Sequence, residues 1–178
     1  TKAFPKHPFT QFYRISATGR WYTEVIPHRF SILAFKLKGG IEDLYGGSKS
    51  DPTRSIPQTH RFYAGGGNSV RGWNSRELIA GDPVLAQYGG NVSLEGSVEL
   101  RTAVLQSLKD DLFDKIWLVQ FVDVGNVWGK MRDFRLSEVA IAAGLGIRYE
   151  TFFGPFRMDW GFRVFNPSEP PGQRWITQ

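Results

Sequence analysis

At 178 residues and a formal net charge of +5 the chain suits one domain, and its Lys and Arg residues are spread along it with no basic helix or stripe, which argues against nucleic acid as a partner. Cysteine is absent, so disulfides, thiolate metal sites and a cysteine nucleophile are excluded. Aromatic residues make up 15% of the chain, with Gly 20 and Pro 10, and apolar residues alternate with polar ones, which favours β structure. No stretch approaches the roughly 18 apolar residues of a membrane helix, and the N-terminus carries no charged-then-apolar signal. Neither fact bears on a membrane barrel, whose strands carry only alternating apolar residues.

Taken in chain order, the first strand candidates cover 12–25 and 30–39, followed by an interval, about 41–87, that is far longer than the roughly 12 to 15 residues beyond which a structureless loop is usually functional or disordered. This interval contains Gly65, Gly66 and Gly67, then Val70, Arg71, Gly72 and Trp73. Three consecutive glycines allow a sharp reversal in a crowded space and present Arg71 at a fixed point. They lack the Gly-Lys-Ser/Thr ending of a phosphate-binding P-loop, and a plain surface turn explains the glycines equally well.

Across 92–104, Val92, Leu94, Gly96, Val98 and Leu100 alternate with Ser93, Glu95, Ser97, Glu99 and Arg101, a period of two. A rougher strand spans 116–128. The alternation returns over 139–149, where Ile141, Leu145 and Ile147 oppose Ala142, Gly144, Gly146 and Arg148. It recurs over 156–165, where Phe156, Met158, Trp160 and Phe162 oppose Arg157, Asp159, Gly161 and Arg163. A further start at 174–178 makes about six full strands and the beginning of one more. Turns are expected at Lys109-Asp110-Asp111, at 130–133 and at Phe153-Gly154-Pro155.

Alternation alone leaves open which face is inside. In a soluble barrel the apolar face points inward, and in a membrane barrel it meets lipid. Strand lengths of about 10 to 13 residues favour lipid, because soluble strands usually run five or six. Aromatic residues near strand ends, at Trp21, Tyr22, Trp117, Trp128, Tyr149, Phe152 and Phe153, fit an interfacial girdle. His7, His28 and His60 have no metal-ligand spacing and no paired Ser or Asp, so the reading is of no enzyme, no cofactor and no metal.

Val70-Arg71-Gly72-Trp73 resembles the Val-Arg-Gly-aromatic lid-loop signature of the outer-membrane protein assembly superfamily, the BamA/TamA-like or bacterial surface antigen family. The resemblance continues through Gly89-Gly90-Asn91 and the inward Glu99, through Phe121-Val122-Asp123-Val124-Gly125, and through Gly144 to Arg148 followed by Gly154-Pro155-Phe156-Arg157-Met158-Asp159. Phe152 stands where many members have proline. Glu99 and Asp123 fall on the polar parity of strands expected to be neighbours, and the guanidinium fork of Arg71 suits two carboxylates where lysine would offer one compact charge. Gly125, Arg148, Arg157 and Asp159 would support this lumen-wall latch; the bland alternative is that Glu99 and Asp123 are solvated lumen charges.

What the resemblance implies is an all-β chain forming part of an antiparallel transmembrane β-barrel of roughly 16 strands, with the long loop folded inward as a lid. It further implies that 1–178 is the C-terminal portion of a barrel domain, with earlier strands and periplasmic POTRA modules outside this chain. The implied location is the bacterial outer membrane. The implied activity is insertion of β-barrel client proteins into that membrane without ATP, with accessory subunits, or alternatively secretion of a partner polypeptide through the same fold. A soluble ligand-binding β-barrel is the reading from another class.

Overall fold

The computed structural model describes residues 9–26, 31–81, 83–104, 116–151 and 154–175. Six strands, β1 (Phe12–Ile26), β2 (Ser31–Leu44), β3 (Val92–Ala103), β4 (Ile116–Trp128), β5 (Ala140–Thr151) and β6 (Gly154–Phe165), form one antiparallel sheet in chain order. Each strand is 12 to 15 residues long. That is sufficient for a tilted strand to cross a bilayer. The final start at 174–178 is represented among the described residues by a single bridge between Trp175 and Phe165. Phe152, Phe153, His7, His28 and the turn at Lys109-Asp110-Asp111 lie outside the described residues.

The period of two sorts the side chains cleanly. Leu37, Val98, Val122, Leu145, Met158, Trp160 and Phe162 are exposed on one face, while Ala34, Ser97, Asp123 and Ala142 of the same strands are buried on the other. An exposed apolar face of this extent is what a lipid-facing wall requires. The buried face is covered by the described residues of the segment that joins β2 to β3, 45–81 and 83–91.

This connecting segment starts and ends later than the 41–87 read from the sequence. Strand pairing runs on through Ile41↔Val92 and Phe12↔Leu44, so β2 continues past the glycines at 39 and 40. Gly154 and Pro155 likewise belong to β6 and not to a turn. Two of the aromatic residues read as a girdle are placed otherwise. Trp128 is fully buried, donates from Nε1 to Glu138 at 3.0 Å and packs on Phe134, and Tyr22 lies under Arg101 in the lumen-side cleft described below.

Candidate functional site

The lid is a finger with its own backbone pairing. Phe62 and Gly90 exchange two hydrogen bonds of 2.9 Å, Leu78 N–H donates to Ala64 at 3.2 Å, and Gly66 N–H donates to Trp73 at 3.0 Å. Its sides are tethered to the wall, Ala80 N–H donating to Val127 and Asn91 N–H to Trp128. A small apolar core fills the space beneath it, built from Phe62, Ala64, Val70, Trp73, Leu78 and Ile79 of the lid against Val127, Ala140 and Ala142 of the wall. The lumen face is therefore packed here. Burying these side chains at about 25 cal/mol per Å² offsets the ordering of a long loop.

At the tip the backbone reverses through Gly65 and Gly66, with φ of 100° and 93°, and again at Gly72, with φ of 102°. The reversal aims Arg71 into the wall, where it is 5% exposed. Its Nε donates to Asp123 Oδ2 at 2.6 Å and its Nη2 to Asp123 Oδ1 at 2.7 Å, a bidentate pair. The Arg71 backbone N–H also donates to Asp123 Oδ2, at 3.1 Å. Nη1 lies 2.7 Å from Glu99 Oε1 and 3.3 Å from Asp159 Oδ2. Ser97 Oγ accepts from Nη2 at 3.3 Å and donates to Asp123 Oδ1 at 2.6 Å. The guanidinium carbon sits 3.4 Å from the centroid of the Phe121 ring.

Register explains the convergence. Ser97 pairs with Asp123 and Glu99 with Phe121 across β3 and β4, so an acid, a hydroxyl and an aromatic face share one patch. Around it, Arg101 holds Glu99 Oε2 at 2.7 Å, and Arg148 and Arg157 both bind Asp159. Arg157 also donates to the Gly67 carbonyl at 2.7 Å, and Arg163 to the Gly72 carbonyl at 2.8 Å and to Glu77. Burial works against the charge on Arg71, but the hydrogen bonds and charge of Asp123, with Glu99 and Asp159 behind, outweigh it and raise its pKa above the ordinary arginine value. The group is a permanent cation.

Two glycines of the wall make room for the tip. A Cβ on Gly161 would lie 2.8 Å from the Gly72 nitrogen and 2.9 Å from the Arg71 carbonyl carbon, and one on Gly125 would lie 3.0 Å from Val70 Cγ2. The residues read from the sequence are thus assembled at one place: the glycine turn, Val70, Arg71, Gly72 and Trp73 from the lid, and Glu99, Asp123, Gly125, Arg148, Arg157 and Asp159 from the wall. Sequence reasoning gave Asp159 only a supporting place and assigned no role to Ser97, Phe121 or Gly161. All three sit on the inner parity of their strands, which was the available signal.

A second set of contacts holds the finger nearer its base. Arg14 of β1 donates to the His60 carbonyl at 2.6 Å and lies 4.2 Å over the Phe62 ring, which is seated on Gly40. Arg14 Nε is 4.0 Å from Glu42, whose carboxylate oxygens have no hydrogen-bond partner among the described residues.

The fold and this site define a wall of an outer-membrane β-barrel carrying an inward-folded, arginine-tipped loop. Residues 8–176 match the Omp85 superfamily domain, and the chain belongs to that superfamily. Its place is accordingly the bacterial outer membrane. A relative described as outer membrane protein assembly factor BamA, from Nitratidesulfovibrio vulgaris, is 30% identical over 108 residues, which is 60% of this chain and 13% of that protein. The crystal structure of BamA from Haemophilus ducreyi lacking POTRA domains 1–3 superposes with a TM-score of 0.72 at 18% identity, over 94% of this chain and 34% of that one. At that identity the likeness is one of fold. The chain spans well under two thirds of either protein.

Proposed function

We propose that this chain is the C-terminal portion of the barrel of an outer-membrane protein assembly factor, which folds and inserts β-barrel client proteins without ATP or covalent chemistry. The observation that carries the reading is the buried seat of Arg71 on Asp123, Glu99 and Asp159, which turns the long loop into part of the wall. Similarity to a protein described as an assembly factor supports the same reading. In it, Arg71 is the latch, Glu99 and Asp123 are its keepers, and Gly125, Arg148, Arg157 and Asp159 shape the keeper site. The work is done by strand edges, since an unpaired strand recruits another by backbone hydrogen bonding. Unfolded β-barrel clients, the lipid bilayer and accessory assembly subunits are its partners.

The test is Arg71→Ala in the complete natural protein, produced in place of the wild type, with the folded fraction of newly made outer-membrane barrels as the readout. Breaking a buried ion pair costs about 3 to 5 kcal/mol. The variant is expected to reach the membrane folded while client folding falls severalfold. Normal client folding with loss of one secreted polypeptide would replace assembly by secretion.

A further inference from the structure

Beside the lid tip a cleft of about 290 Å³ opens between residues 67–69 and the inner face of β1, β2 and β3. Arg20, Lys36, Arg101 and Arg157 line it together with Arg71, against one carboxylate, Glu99, among the described residues. That carboxylate is already used, Oε1 by Arg71 and Oε2 by Arg101, each at 2.7 Å. Arg20 and Lys36 are directly opposed across β1 and β2. Like charges in that position destabilise an antiparallel pair. Arg20 has no partner among the described residues, and Lys36 Nζ makes one bond, to the Asn68 carbonyl at 3.2 Å. Arg101 spends Nε and Nη2 on Glu99. The unspent donors therefore belong to three adjacent strands and line one opening.

We propose that this cleft binds the carboxylates of an acidic polypeptide segment in the lumen. Arg20 supplies a planar fork that donates bidentately to a carboxylate, and Lys36 a compact charge beside it. An anion between them removes the cross-strand repulsion, so occupancy strengthens the β1–β2 pairing as well as capturing the ligand. A free dicarboxylate offers the same chemistry. The polypeptide source rests on the assembly reading above, and the site itself does not.

The experiment uses the complete natural protein folded in detergent, titrated calorimetrically with hexaglutamate, hexaglutamine and succinate at low salt and at 0.15 M salt. Hexaglutamate is expected to bind, more weakly at the higher salt because the Debye length there is about 8 Å, and hexaglutamine is not. Arg20→Gln and Lys36→Gln should each lower hexaglutamate affinity on the order of tenfold, the scale of one charge-assisted hydrogen bond. Both variants lose a repulsion, so they should melt no lower than wild type, and at a fixed concentration hexaglutamate should raise the melting temperature of wild type more than that of either variant. Absence of binding by both acids, or unchanged affinity in the double variant, overturns the site. Succinate binding without hexaglutamate binding overturns the polypeptide assignment. A protein that binds hexaglutamate yet assembles clients normally with Arg71→Ala keeps this site and loses the assembly reading.

Discussion

Arg71 owes its position to space as much as to charge. Three carboxylates supply the charge, and Gly161 lets the tip come close enough to use them, because any Cβ there would collide with the backbone of Arg71 and Gly72. The collision is with main chain, which cannot rotate away as a side chain can. Gly161→Ala is therefore expected to lift the tip and expose Arg71 while β6 stays paired, since alanine suits a strand at least as well as glycine. Limited proteolysis at the lid should speed up by at least tenfold relative to wild type. Unchanged proteolysis would mean that the tip is positioned by its ion pairs alone. The charge network was legible in the sequence because the acids keep strict parity and the motif names the arginine. The clearance at Gly161 was not, since it arises between residues 89 and 90 positions apart in the chain and leaves no periodic trace.

At the scale of strands and loops, the alternation located all six strands and sorted their side chains into two faces, with errors of a few residues at the strand ends. These errors have a common cause. Gly39 and Gly40 look like a strand end, yet β2 continues because Gly40 is the flat seat under the Phe62 ring. Gly154 and Pro155 look like a turn but open β6. What alternation misjudged was the inner face. Ala142 looks like a lumen residue free to change, whereas it is fully buried beneath the lid, within van der Waals reach of Gly72. A proper contrast to the lipid face is Thr18, exposed on β1. Leu145→Arg should cost about 2 to 4 kcal/mol near the bilayer midplane, and Thr18→Gln close to nothing. Denaturant unfolding in lipid vesicles measures both, and equal tolerance at the two sites would reverse the assignment of faces.

For the molecule as a whole, the sheet runs from β1 to β6 with no pairing between those two among the described residues. Unpaired backbone groups cost several kcal/mol each in hydrocarbon, so strands beyond these are expected to complete the wall. The 178-residue chain expressed alone should not yield a closed, protease-resistant barrel in detergent. A heat-resistant compact band on electrophoresis, with client-folding activity, would show that six strands suffice.

The seat of Arg71 also ties the lid to the alignment of the strands that follow it. Its three carboxylates come from β3, β4 and β6, and the apolar floor beneath it from β4 and β5. The seat is complete only when β6 is paired with β5, since Asp159 lies on β6, although the lid itself lies earlier in the chain than all four strands. The tip meets all three carboxylates only when these strands are paired, so a seated Arg71 reports the register of β3 to β6. A one-residue slip of β4 would turn Asp123 to the outer face, and Arg71 would lose its bidentate partner. The alignment of three strands thus converges on a single side chain.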